Sequence, residues 1–167
     1  MKKVLLILMA IFSIGLQNVN AQESALKIVT NHPDFQLKVK RCAVSGTNMI
    51  IDLIANNLGS EDIPSFEVVP KYIVVYDDEG NIYDYCGAKV ANQQRYVKQW
   101  NAFDDKTPAV KIIPGVPLKI SVKVEGVDKA ASNIALMELG IECKAWDLYA
   151  HQEKCRVKLR NIPITRN

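Results

Sequence analysis

The sequence predicts an all-β protein, an antiparallel β-sandwich of about seven or eight strands. Apolar and polar residues alternate in a series of short runs, the pattern of strands with one face on a core and the other in water. Glycines and prolines fall between these runs, where turns need them, and helical periodicity is almost absent. Two packed sheets are a common arrangement for this many short strands in one domain.

Individual runs define the predicted strands. Apolar and polar residues alternate strictly from Leu118 to Val124, from Leu139 to Cys143 and from Cys155 to Leu159. Earlier runs alternate or are rich in β-branched and aromatic residues, which favour strands. In chain order, the predicted strands lie within 35–39, 49–58, 72–76, 82–85, 118–124, 139–143 and 155–159.

The first 21 of the 167 residues have the features of a cleavable signal peptide. Two lysines precede an apolar stretch from Val4 to Leu16, and Val19-Asn20-Ala21 provides a small-residue cleavage site. The stretch is shorter than the roughly 20 residues of a membrane-spanning helix. We therefore expect an exported protein, periplasmic or secreted, whose mature chain lacks a transmembrane segment. We expect the mature chain to consist of an N-terminal segment over 22–34 and a single β-sandwich domain over 35–164.

The charge balance argues against a general affinity for polyanions. The net charge is +3, and loss of the two signal-peptide lysines lowers it to 3 − 2 = +1. Because nucleic-acid binders carry a strong basic excess, no nucleic-acid partner is expected. A basic stripe at alternate positions from Lys154 to Arg160 is interpreted as the solvent side of a strand, matched in part by Glu138 and Glu142.

One stretch lacks the strand pattern and is predicted to be a long connection. Residues 90–106 are polar, and Tyr96, Trp100 and Phe103 have the spacing of one helical face. The prediction therefore includes one short helix in this loop. Loops of this length inside compact domains are often functional.

Aromatic residues of two loops form the candidate binding site. Trp146 and Tyr149 lie between the last two predicted strands. With immunoglobulin-like connectivity, that loop and the 90–106 connection meet at one end of the sandwich. Tyr96, Trp100, Trp146 and Tyr149 would then contact a protein or another cell-envelope component. The alternative is that these rings cover the open end of the core.

The four cysteines predict two disulfides. All lie in the mature part of the chain, and an even number in an exported protein favours disulfide pairing. The spacings of 44, 57 and 12 residues do not resemble a zinc site, which normally shows closely spaced pairs. We predict Cys143–Cys155, because both share the inward face of the last hairpin, and Cys42–Cys86 by elimination.

The predicted register of that hairpin places Cys143 opposite Cys155. Glu142 then faces Arg156, an opposite-charge pair of the favourable kind. A register shifted by two residues also pairs opposite charges, so charge alone leaves both registers open.

The sequence contains no motif that points to catalysis or to a cofactor. Its two histidines, His32 and His151, belong to no HxxxH or HExxH pair. A GxSxG elbow, a glycine-rich phosphate loop and a CxxC pair are all absent. We therefore expect a protein that is not an enzyme and has neither a cofactor nor a metal ion.

The acidic segment Asp77–Asn81 contains oxygen ligands but does not fit the EF-hand calcium loop. In the EF-hand pattern Gly80 would fall at position 4 instead of 6, and Ala88 would take the place of the glutamate at position 12. The favoured interpretation is a hairpin turn, with aspartate at its start and Gly-Asn adopting the unusual backbone angles. A weak calcium site of another type is the alternative.

Three turn motifs give the chain a resemblance to a known family. They are Tyr76–Asn81 (YDDEGN), Ile113–Leu118 (IPGVPL) and the ending Leu159–Ile164 (LRNIPI). With them, residues 35–164 resemble exported bacterial telokin-like, immunoglobulin-like domains of unknown function. The resemblance implies an immunoglobulin-like sandwich and an exported location, and it carries over no catalytic residue.

The predicted function is that of an exported, non-enzymatic module that binds a partner or supports assembly of the cell envelope. An alternative is an inhibitor of an envelope enzyme, or a stress-protective protein. A hydrolase is a third hypothesis, and it would need Asp104 or Asp105 close to Asp147. Paired-carboxylate mechanisms place the two groups about 5 to 9.5 Å apart.

Overall fold

The computed structural model describes residues 27–29, 33–84, 86–96, 106–144 and 153–166, with the backbone alone at 27–29, 94–96, 144, 153 and 154. Over these residues the chain is nearly all β, which confirms the predicted fold class. The helix among them is a 3-10 turn at Pro70–Tyr72. The strands are β1 (Lys27–Val29), β2 (Phe35–Ser45), β3 (Asn48–Asn57), β4 (Ile63–Val68), β5 (Val74–Asp77), β6 (Ile82–Tyr83), β7 (Gly87–Val90), β8 (Gln93–Tyr96), β9 (Val110–Ile112), β10 (Leu118–Val124), β11 (Asn133–Lys144), β12 (Glu153–Pro163) and β13 (Thr165–Arg166).

The strands form two sheets, here called sheet A and sheet B. Sheet A has the order β1-β12-β11-β4-β9, and β5 pairs with β11 on the same side as β4 and carries β6 beyond it. Sheet B has the order β13-β2-β3-β10-β7-β8, and it is antiparallel except where β13 runs parallel to β2. The inward faces of the two sheets enclose one hydrophobic core.

Residues at the predicted inward positions form this core. Phe35 of sheet B meets Phe66 of sheet A edge to face, with ring centroids 5.5 Å apart. Each fully buried large apolar side chain contributes about 1.5–3 kcal/mol. Buried residues from the alternating runs include Leu37, Ile51, Leu53, Ile120, Val122, Leu139, Val157 and Leu159.

The structure has more strands than the sequence pattern predicted, because several are too short to show alternation. One of these short strands, β8, lies within the predicted long connection over 90–106. Val90 ends β7, and Gln93–Tyr96 forms β8, which pairs back with β7 across a two-residue turn. An edge strand is held by backbone hydrogen bonds, so it needs no apolar alternation. The predicted helix is therefore wrong at Tyr96, and its other positions lie outside the described residues.

The register of the C-terminal hairpin differs from the predicted one by two residues. Cys155 lies opposite Ile141, and Cys143 lies opposite Glu153. The prediction that Cys143 faces Cys155 is therefore wrong. The observed register also places a glutamate opposite a lysine at two positions, which is why charge pairing could not separate the two registers.

The predicted disulfides Cys143–Cys155 and Cys42–Cys86 are not present in the structure. The first pair lies on a diagonal of the hairpin, where Cα atoms are about 7–8 Å apart, whereas disulfides span at most about 6.8 Å. Cys42 is in β2 and Cys86 precedes β7, and β3 and β10 lie between these strands. Three strand spacings amount to about 14 Å, which is too far for a disulfide.

The Cys42 and Cys86 thiols are also unreactive. Burial raises the pKa of both thiols to about 12, so neither is a reactive thiolate.

The acidic segment between β5 and β6 is the predicted hairpin turn. The buried Asp77 carboxylate accepts hydrogen bonds from the amides of Glu79 (3.0 Å) and Asn81 (2.8 Å). It also accepts bonds from the Asn81 side chain (2.9 Å) and the Tyr83 hydroxyl (2.7 Å). Gly80 has a φ of +87°, which favours glycine. The described part of the chain contains no group of three or more residues suited to a metal ion.

These bonds make the turn sensitive to acid. Burial alone would raise the pKa of Asp77, but the bonds from Asn81, Tyr83 and Glu79 hold that pKa below its usual value. The resulting stabilisation is present above the unfolded-state pKa of about 3.9 and is lost as the pH falls through the lower native pKa of Asp77.

We expect Asp77→Asn to lower the free energy of unfolding by about 2 kcal/mol at pH 7 and to flatten the loss of stability below about pH 4. Denaturant unfolding at several pH values measures both effects. Glu79→Gln is the control, and an equal loss in both variants would contradict the role of Asp77.

Candidate functional site

The main surface feature of sheet A arises where the chain leaves β4 and enters β5. Both strands pair with the same edge of β11: β4 with residues 141–144 and β5 with residues 134–138. Between them the chain leaves this edge opposite Gly140, where the Val69 amide donates a hydrogen bond to the Gly140 carbonyl (3.0 Å). The 3-10 turn that follows places Tyr72 over Gly140, on the face of sheet A that points away from sheet B.

Gly140 is needed for this close approach. A Cβ atom at position 140 would lie 2.5 Å from the Cβ of Tyr72, a distance that real side chains do not tolerate. Because glycine has no side chain, a hollow of about 200 Å³ lies beside the Tyr72 ring. We call it the Tyr72 hollow, and it is lined by Val69, Tyr72, Gly140, Ile141, Glu142, Cys155 and Arg156.

The Tyr72 ring is exposed yet held in place. It is 38% exposed, with the Lys71 ammonium 5.1 Å and the Arg156 guanidinium carbon 5.6 Å from its centroid. Cations at these distances are attracted by the ring electrons. Arg156 and Lys158 also contact Glu138, at 3.8 and 3.1 Å. The predicted partial matching of the basic stripe by Glu138 is therefore confirmed.

Glu142 contacts a different cation, Lys106, which donates a short hydrogen bond to its carboxylate. The Lys106 ammonium also lies 3.6 Å from Glu67 of β4. Thr107 fixes the lysine beside β4, because its hydroxyl accepts a bond from the Val68 amide (2.9 Å) and its own amide donates to the Val68 carbonyl (2.8 Å). The sequence did not indicate this contact, because Lys106 and Glu142 are 36 residues apart.

The electrostatics of the hollow suit binding better than acid–base chemistry. The hydrogen bond to Glu142 and the nearby charges of Glu142 and Glu67 raise the pKa of Lys106, although its partial burial acts in the opposite direction. Lys106 therefore stays a charged ammonium at neutral pH and cannot act as a base. The hollow itself presents the Tyr72 ring, the Arg156 guanidinium and the nearly buried Glu142 carboxylate.

The structure describes little of the sequence-predicted binding site. The backbone of Tyr96 pairs with Gly87 in sheet B, and Trp100, Trp146 and Tyr149 lie outside the described residues. Sequence reasoning missed Tyr72 as a site residue. The available signal was Gly140 within the alternating run of β11, since an isolated glycine in a strand often marks a close approach by other atoms.

The chain matches no family model, and it matches no curated protein. Among solved structures, it is similar to a family 123 glycoside hydrolase from Clostridium perfringens, studied for glycolipid glycan hydrolysis, at 9% identity and a TM-score of 0.35. The match covers 85% of this chain and 27% of that enzyme, so the chain spans about a quarter of its length. A similarity this low carries no argument about fold or activity. In the described part of the chain, no helix has the length and apolarity needed to cross a bilayer.

The contact between Gly140 and Tyr72 can be tested by a double-mutant cycle. We expect Gly140→Ala to lower the free energy of unfolding by about 2 kcal/mol, because the new methyl group overpacks against Tyr72. In a Tyr72→Gly background, which removes the opposing Cβ, the same substitution should cost much less. Chemical denaturation of the four proteins measures the coupling, and equal costs in both backgrounds would contradict the contact.

The ion pair between Lys106 and the buried Glu142 should contribute more than an exposed one. We expect Lys106→Met to cost about 2–3 kcal/mol, because it removes the ammonium that a nearly buried carboxylate binds. Lys158→Met is the matched control on the same sheet face and should cost less than about 1 kcal/mol, since exposed pairs contribute little. Thermal and denaturant unfolding measure both. Similar costs for the two variants would rule out a special role of Lys106.

Proposed function

We propose that this chain is an exported, non-enzymatic β-sandwich that binds a protein or another cell-envelope component, and that the Tyr72 hollow is its main contact. The all-β sandwich fold is compatible with the immunoglobulin-like, telokin-like domains that the turn motifs resemble. Export is supported by the signal-peptide features of residues 1–21. The location that follows is the periplasm or the cell exterior.

The observation that carries the proposal is the exposed Tyr72 ring, which is held by its neighbours before any partner arrives. Tyrosine and arginine are enriched among the residues that dominate binding energy at interfaces. A side chain that is already ordered loses little conformational freedom on binding. Tyr72 and Arg156 combine both properties beside a hollow that a partner side chain can enter.

Binding explains the arrangement of charges better than hydrolysis does. Glu142 and Glu67 both contact the Lys106 ammonium, so each of these carboxylates already has a structural partner. Asp104, Asp105 and Asp147, which the hydrolase hypothesis needs, lie outside the described residues. The contact formed by Tyr96, Trp100, Trp146 and Tyr149 stays a separate prediction.

Affinity capture from an envelope extract tests the proposal. The tagged protein is purified from exporting cells, and its N-terminus is determined to establish whether processing occurs near Gln22. We expect Tyr72→Ser to weaken capture of the partner by more than about tenfold. Ile82→Ser is the matched control, because Ile82 is also exposed (61%) and lies in the β5–β6 hairpin away from the hollow.

The outcomes separate the hypotheses. Equal capture by wild type and Tyr72→Ser would overturn the assignment of the hollow as the contact. Capture of a hydrolase whose activity falls on binding would identify the protein as an enzyme inhibitor. Turnover of an envelope polymer by the purified protein would refute a non-enzymatic role.

A further inference from the structure

The outer face of sheet B, opposite the Tyr72 hollow, carries a group of cations in adjacent rows. In one row, Lys38 of β2 and Lys119 of β10 flank Ile54 of β3. In the next row, Arg41 and Lys89 lie on either side of Asp52 and Ser121. Lys123 follows beside Ile50 in a third row. We call this surface the basic face.

The charges of the basic face do not cancel. Asp52 contacts Arg41 at 2.9 Å and Lys119 at 3.6 Å, and it accepts a hydrogen bond from Ser121 at 2.6 Å. Lys123 contacts Glu125 at 2.6 Å. Five cations therefore face two carboxylates among the described residues of this face, an excess of 5 − 2 = +3. This local excess equals the net charge of the whole chain, +3.

An exposed apolar tip adjoins the basic face. Leu58, Ile113 and Val116 are 60%, 45% and 54% exposed. The Asn57 side-chain amide joins their two loops by donating a hydrogen bond to the Ile112 carbonyl (3.0 Å). The hydrogen bond from Asn57 thus connects the two loops that expose these apolar side chains to solvent.

The tip and the basic face belong to one continuous surface. β3 ends at Asn57, three residues beyond Ile54, which corresponds to about 10 Å along a strand. The row that contains Lys38 and Lys119 is therefore the part of the basic face near the tip. A flat object that touches the tip would also lie within reach of these lysines.

We propose that the basic face and the apolar tip dock the protein on an anionic lipid bilayer. Each cation near such a surface adds to the attraction, and exposed apolar side chains can insert at the headgroup boundary. Protein–protein interfaces are depleted in lysine and enriched in aromatic residues, whereas the five cations here include four lysines. The described residues of the basic face include no aromatic side chain on which nucleic-acid bases could stack.

This docking goes beyond the proposed function and does not depend on it. The two outer faces lie on opposite sides of the core. A protein docked through sheet B would therefore present the Tyr72 hollow away from the bilayer, where a partner could reach it.

Vesicle co-sedimentation tests the docking with protein purified in the same processed form for every variant. The wild type should bind vesicles of equal parts phosphatidylglycerol and phosphatidylcholine, and bind pure phosphatidylcholine weakly. High salt should release most of it, because salt screens exposed charges. Lys38→Glu/Lys89→Glu should weaken binding by about tenfold or more. Lys129→Glu/Arg160→Glu makes the same change in net charge away from the basic face and should leave binding within about twofold of wild type.

A second variant tests the tip. Leu58→Ser/Val116→Ser should reduce the part of the binding that survives in high salt, because it removes apolar groups without changing charge. Circular dichroism and thermal melts confirm that each variant is folded. The wild-type comparison of anionic and neutral vesicles holds even if a variant fails to fold.

Three results would overturn the proposal. The first is equal binding of the wild type to anionic and neutral vesicles. The second is equal weakening by the two charge-reversal variants, which would show an effect of net charge alone. The third is retention on an acidic protein or on nucleic acid without any binding to vesicles, which would assign the basic face to another class of partner.

Discussion

The pairing of β11 with three other strands is the constraint on which the site depends. β11 pairs with β12 on one side and with β5 and then β4 on the other. A strand edge accepts one partner at each position, so the chain between β4 and β5 has to leave the sheet. It does so at position 140, and this departure explains the glycine, the position of Tyr72 and the hollow beside it. The candidate site is thus a consequence of topology.

Buried carboxylates organise the charges on both outer faces. Glu142 on sheet A and Asp52 on sheet B each occupy a central strand and are nearly covered by neighbouring side chains. Lysine and arginine can cover such positions with their apolar stems while their charged ends reach water. The whole chain therefore has a small net charge, +3, while cations outnumber carboxylates on the basic face. The charge argument from composition therefore describes the average surface and misses the basic face.

The sandwich separates two surfaces of different chemistry. The outer face of sheet A offers the Tyr72 ring and the hollow beside it, whereas the outer face of sheet B is rich in lysine and has no described aromatic side chain among its cations. Packed sheets lie about 10 Å apart and share a core that resists deformation. Each of the two proposed surfaces can therefore be occupied without displacing the other.

The fold class could be predicted from the sequence because alternation is a local property. In β10, for example, Leu118 to Val124 alternate between the core and water, and the same spacing identifies β2, β11 and β12. The short strands escaped prediction because β8 is held by its backbone and β9 has three residues. The turn at Asp77–Asn81 was also predictable, since its hydrogen bonds join residues within one hairpin.

What the sequence determined by itself is therefore the in-and-out pattern of the long strands and the chemistry of the turns. Only the tertiary structure decided the register of the last hairpin, the separation of Cys42 from Cys86 and the meeting of Tyr72 with Gly140. The physical reason is distance along the chain. Two registers of the hairpin satisfy the same alternation and charge pairing, and contacts such as Lys106 with Glu142 depend on how the sheets assemble.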